Sequence, residues 1–110
     1  MPICFALDGD RLVSVVDHKP KTTTALARLA DIERVGRATV LIDHYDDADW
    51  ATLWWVRVSG SASVHSPTDP RVKPAIDALT RKYAQYRDTP PAGPTYSIDI
   101  KSVTWWRASP

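Results

Sequence analysis

Residue types suited to holding a phosphate crowd into Asp17-His18-Lys19-Pro20-Lys21-Thr22-Thr23-Thr24, a segment between a valine-rich run and a stretch of helical spacing. Two lysines, several hydroxyls and the free N–H groups of a helix's first turn can bind such a group by charge, hydrogen bonds and dipole together. A threonine-capped helix with solvated lysines reads from the same residues equally well. The second feature is Trp54-Trp55. Adjacent strand residues point to opposite faces, so one indole enters a core and the other stays available to a partner subunit or a planar ring.

Other constellations carry less. His18, His44 and His65 are too scattered for a local zinc pattern, and Asp43 to Asp49, with His44 and Tyr45, reads as a solvated acidic loop rather than a cation site. Cys4, the lone cysteine, lies in an apolar run with no basic neighbour and reads as a buried structural residue. There is no Gly-x-Ser-x-Gly elbow, phosphate-binding Walker loop or dinucleotide fingerprint. No catalytic side chain and no metal ligand is assigned, and chemistry here is expected to belong to a bound cofactor.

The elements that must position these residues follow from periodicity. Ile3–Leu7 and Leu12–Val16 flank Asp8-Gly9-Asp10 and predict a hairpin, because an Asp-Gly pair readily takes the positive φ of a tight turn. Leu26, Leu29 and Ala30 have helical spacing, and Gly36 supplies the stop. Ala38–Ile42 and Leu53–Val64 read as strands, the second with Gly60 as a bulge or a point of close backbone approach. Val72, Ile76, Leu79, Tyr83 and Tyr86 form one apolar helical stripe, with Pro74 either starting the regular helix or kinking it. Tyr96, Ile98 and Ile100 then alternate with polar residues along a last strand toward Trp105 and Trp106. The order β-β-α-β-β-α-β, with mostly hairpin-joined antiparallel strands and two helices, predicts a mostly β, α+β domain closed as a small barrel.

At 110 residues the chain is one domain's worth, residues 1–110. Fourteen Lys and Arg against thirteen Asp and Glu leave +1, with no run of five like charges, which argues against nucleic-acid or membrane-surface partners. No apolar run approaches the roughly 20 residues of a spanning helix, and Met1-Pro2-Ile3-Cys4 does not open like a secretory signal, so a cytoplasmic protein is expected. Five tryptophans, Trp50, Trp54, Trp55, Trp105 and Trp106, predict a dimer interface, a flat ligand, or both.

The runs Phe5-Ala6-Leu7-Asp8-Gly9-Asp10, Val16-Asp17-His18-Lys19-Pro20-Lys21-Thr22, Val40-Leu41-Ile42-Asp43 and Val58-Ser59-Gly60-Ser61-Ala62, in this order, resemble the pyridoxamine 5'-phosphate oxidase-like split β-barrel superfamily. Asp43-His44-Tyr45-Asp46-Asp47 with Leu53-Trp54-Trp55-Val56-Arg57 looks like its actinobacterial branch of deazaflavin (coenzyme F420)-dependent enzymes. The resemblance implies an FMN-binding-like split barrel and a homodimer with cofactor grooves between the subunits. It implies hydride transfer to a small unsaturated substrate, with FMN use or a non-catalytic cofactor-binding dimer as alternatives. It also implies that Lys19, Pro20, Lys21 and Thr22 hold the cofactor's phosphate-bearing tail, and that Ser14, Trp54 and Trp55 line the ring or tail. Relative to that family the chain begins at the second strand, which predicts a barrel edge with unpaired N–H and C=O groups.

Overall fold

The computed structural model describes residues 3–16 and 23–108, with backbone alone over 23–26. Strands Ala6–Asp8 (β1) and Arg11–Val15 (β2) pair antiparallel with Asp8 opposite Arg11, so the hairpin loop is the two residues Gly9-Asp10. Gly9 has φ 60 and Asp10 does not share the positive angle, the pattern of a type II′ turn. Helix Thr23–Val35 (α1) stops at the expected Gly36, whose N–H returns to the Ile32 carbonyl at 2.8 Å. Strands Arg37–His44 (β3) and Trp54–His65 (β4) form a long hairpin. Asp43 and His44, expected in the loop, extend β3 instead because Trp55 and Trp54 pair with them.

Helix Lys73–Lys82 (α2) carries Pro74 in its first turn, and strand Thr95–Arg107 (β5) is the last element among the described residues. Between them the apolar stripe is interrupted. Tyr83 adopts an extended conformation, and Ala84–Asp88 forms a separate short helix (α3). The reason is tertiary: the Tyr83 hydroxyl donates to the Phe5 carbonyl at 3.0 Å and accepts from the Phe5 N–H at 3.1 Å. Leu79 and Tyr86 stay on the buried face, with Ile76 and Tyr83 packed against it. With α3 as the last piece of the second helical segment, the order read from the sequence is the order observed.

All pairings are antiparallel and the sheet order is β1-β2-β5-β4-β3. Alternation along these strands gives the sheet two apolar faces. One packs Ala6, Val13 and Val15 against Ala75, Ala78 and Leu79 of α2 and Tyr86 of α3. The other buries Leu12, Val58 and Ile98, with Phe5, Ala38, Val40, Val56, Ala62 and Ile100 packed around them. A register shift between Ser59 and Gly60 makes the expected bulge, and the close approach there is that of Asp99: a Cβ on Gly60 would run into its carbonyl.

The expected barrel is not closed. β1 and β3 remain the two edges of an open sheet, because β1 is only three residues long and no described strand pairs with either outer edge. The ends of β3, β4 and β5 extend past the two cores. The radius of gyration is accordingly 15.1 Å, where a compact chain of this length has about 13 Å. No helix among the described residues is long and apolar enough to cross a membrane.

Candidate functional site

The open side of the sheet is a groove of about 1080 Å³. One wall is Ile3, Cys4 and Phe5 with Val15 and Val16, and the other is the edge strand β3 from Ala38 through Asp43. Six consecutive residues of one strand line it, so the wall includes the backbone edge as well as alternate side chains. Leu29 and Ile32 of α1, with Arg28 and Asp31, close one side, and Ser14, Tyr96 and Ile98 lie along the base.

Position in the sheet explains the polar groups of the base. Ser14 on β2 stands opposite Tyr96 on β5, so their side chains share a face. Ser14 is 1% exposed, and its hydroxyl donates to the Cys4 carbonyl at 2.6 Å while engaging the Tyr96 hydroxyl. Burial pushes the Tyr96 phenol above the usual tyrosine range; the Ser14 hydrogen bond and the Arg28 guanidinium act in the opposite direction. Cys4, expected to be buried, is exposed, because it precedes the first strand and only its backbone is tied down. Chemically, the groove offers a mainly apolar slot whose polar groups are a hydroxyl pair, a thiol, a guanidinium, the Thr39 hydroxyl and the Asp31 and Asp43 carboxylates.

Ser14 is therefore in the groove, whereas Trp54 and Trp55 are not among its lining residues. They lie at the far end of β4. Trp54 shares the face of Val56 and Val58 but is 39% exposed, because the sheet has no cover there, so the expected entry of one indole into a closed core is not realised on this face. Its ring stacks on His44 with centroids 6.1 Å apart. Trp55, on the other face, is half-buried, stands opposite Trp106 and takes the Arg57 guanidinium 5.2 Å above its ring. Trp50, Trp105 and Trp106 are exposed as well, so this end of the sheet displays indoles on both faces.

Lys19, Pro20, Lys21 and Thr22 lie outside the described residues. Val16 in the groove wall and Thr23 at the start of α1 are the described residues that flank this junction, and the Val16 N–H is held by the Pro94 carbonyl at 3.0 Å. Sequence reasoning missed Tyr96 and Arg28. Tyr96 was visible as an alternating strand residue, yet only the placement of β5 between β2 and β4 brings it to Ser14. Among the described residues no group of three or more His, Cys, Asp or Glu is arranged to hold a metal ion. Compared with models of known protein families and with curated proteins, the chain matches none.

Proposed function

We propose that this chain is a homodimeric deazaflavin-dependent oxidoreductase of the pyridoxamine 5'-phosphate oxidase-like kind, which passes a hydride from reduced coenzyme F420 to a small, flat, unsaturated substrate. The reading also makes the open sheet a split β-barrel with the groove as its seam. The observation that carries it is the groove itself: about 1080 Å³, lined mainly by apolar side chains, with Ser14, Arg28, Asp31, Thr39, Asp43 and Tyr96 among its polar residues and with Val16, the last described residue before the lysine-rich junction, in its wall. Small-molecule sites are likewise mostly apolar with a few polar groups and measure roughly 300–1,000 Å³, so the groove lies just above the upper end of that range.

The groove's residues fit a planar ring with a polar rim. Phe5, Val40, Ile42 and Ile98 exclude water from its faces, Arg28 and Tyr96 offer polar groups at its edge, and buried Ser14 holds the Tyr96 hydroxyl in place. Lys19, Lys21 and Thr22, with Pro20 fixing the backbone between the lysines, hold the phosphate-bearing tail. Trp54, on the groove's face of the sheet but beyond its lining residues, and Trp55, on the other face, do not line their own groove, and delivery to the site by the second protomer would account for this. The cofactor supplies the hydride; the protein binds, orients and keeps the site dry, so no acid-base pair is demanded of the chain.

Titration of deazaflavin and, separately, of FMN against tryptophan fluorescence tests the reading, since either ring quenches nearby indoles. Saturable quenching by deazaflavin at micromolar concentration is expected. Quenching by FMN alone transfers the site to the flavin alternative. Binding without reduction of any quinone, enone or tetrapyrrole leaves a non-catalytic cofactor-binding dimer, and quenching by neither ring removes the site altogether.

A further inference from the structure

A second group of side chains, on the opposite face of the sheet from the groove, is arranged for a different chemistry. Ser63 and His65 are two apart on β4 and so project from one face, and Ser97 of β5 stands opposite Ser63. The Ser63 Oγ lies 3.3 Å from His65 Nε2 and 3.3 Å from Ser97 Oγ. On the other side of the imidazole, Nδ1 lies 3.7 Å from Asp69 Oδ2. Both contacts to the ring have the loose spacing of such groups in unliganded sites.

We infer that Ser63, His65 and Asp69 form a nucleophile, base and orienting carboxylate that accept the acyl group of small activated esters. The fold supplies the requirements of each role. Asp69 is anchored by the Arg71 guanidinium at 2.7–3.1 Å and by the Arg71 N–H at 2.9 Å, in the turn Pro70–Val72 that leads into α2. Those bonds hold its carboxyl down to about 2, so it is an anion wherever an imidazole can act as a base. An anion beside Nδ1 keeps the proton on that nitrogen and leaves the Nε2 lone pair for the Ser63 hydroxyl. With that proton directed to His65, the hydroxyl of buried Ser97 is the donor of the Ser63–Ser97 contact and orients the Ser63 Oγ.

Access is built in as well. β3 pairs with β4 only as far as Arg37 opposite Ser61, so Ser63 stands past the end of the neighbouring strand and is exposed, while His65 and Asp69 keep only 18% of their side-chain surface. An open site of this kind suits a small acyl group on a good leaving group, such as an aryl acetate. Ser63 Oγ bonds to the carbonyl carbon as its proton passes to His65 Nε2. The carbon–aryloxide bond breaks and the aryloxide takes that proton. Water, deprotonated by His65, then releases the carboxylic acid and regenerates the Ser63 hydroxyl.

The test is covalent trapping of the full chain with a fluorophosphonate, followed by peptide mapping, and the burst of p-nitrophenol from p-nitrophenyl acetate. One adduct on Ser63 is expected. Its rate should fall at least 100-fold in Ser63→Ala and about 100-fold in His65→Gln, and stay unchanged in Ser102→Ala, a serine elsewhere on β5. Asp69→Asn, a positioning change, should lower the maximal acylation rate about tenfold while the half-saturating probe concentration stays the same. An adduct on another residue, no adduct, or a rate indifferent to His65→Gln overturns the assignment. The mapping on the unaltered chain decides even where a variant fails to fold. Loss of deazaflavin binding would leave this result untouched, since the two sites use different faces.

Discussion

In sequence Lys21 is two residues before Thr23, the first residue of α1, and Lys19 is four, and the N–H groups of that first turn carry the partial positive charge that favours an anion. If a phosphate is held there, each lysine contributes a charge-assisted hydrogen bond worth about 1.5–3 kcal/mol, but Lys21 adds to the dipole in place. Lys21→Ala should therefore weaken deazaflavin binding roughly 10- to 100-fold, more than Lys19→Ala, with Lys101→Ala on β5 as the control, all read by fluorescence titration. Equal small effects would make the segment a capped helix only. Asp69 gives a prediction that is independent of any ligand. Its carboxyl is lowered from 3.8 to about 2, chiefly by the Arg71 side chain and then by the Arg71 N–H. A depressed carboxylate favours the native state above its unfolded pKa, and that contribution is lost as pH falls from about 4 toward 2. In a carbon-detected NMR titration the Asp69 carboxyl should show a midpoint near 2, and Arg71→Ala should move it up toward 3.8. An ordinary midpoint in the unaltered chain would mean that the turn does not hold this bond in solution.

Strands and helices were more legible than their contacts, and Gly60 shows why. A glycine in the middle of an alternating apolar run signals a bulge or a close approach whatever the partner, but that the partner is Asp99 depends on a pairing between residues about forty apart. The blocking atoms are backbone rather than a flexible side-chain end, so Gly60→Ala must shift β5 against β4. A loss of about 1–3 kcal/mol is expected in urea unfolding, with the slope unchanged. Stability equal to that of the parent chain would show that the bulge adjusts freely. The same distinction separates what the periodicity read from what it did not. Alternation marked β4 and β5, and the stripe through Leu79 and Tyr86 marked one helical face. The break at Tyr83 is set by Phe5, 78 residues earlier, and no local pattern contains it. The groove is likewise nonlocal: Ser14 meets Tyr96 only because β5 enters the sheet beside β2. Alternation placed Trp54 and Trp55 on opposite faces, while the exposure of Trp54 follows from a barrel that does not close.

For the molecule as a whole, these unclosed edges and the extended end of the sheet point to association. Trp54, Val103 and Trp105 are large exposed apolar side chains on one face of adjacent strands, Leu41 and Trp106 are exposed on the other, and Trp105 alone is 66% exposed. An apolar surface of this extent on a monomer is normally a contact site, and a closed pair related by a twofold axis is the commonest way to cover one. The cofactor reading requires such a pair too, because Trp54 and Trp55 lie away from the groove that holds Ser14. A symmetric homodimer is therefore expected, formed by β4 around Trp55 and by β5 near Trp105 or Trp106. Interfaces of obligate dimers bury more than about 2,000 Å² in total, so dissociation should be coupled to loss of fold. Light scattering at micromolar concentration should give twice the 12.3 kDa of one chain, and Trp105→Ser with Trp106→Ser should lower both the mass and the unfolding midpoint. A stable, folded species of 12.3 kDa would contradict the dimer and take with it the delivery of indoles to a partner's groove, while leaving the groove within each chain intact.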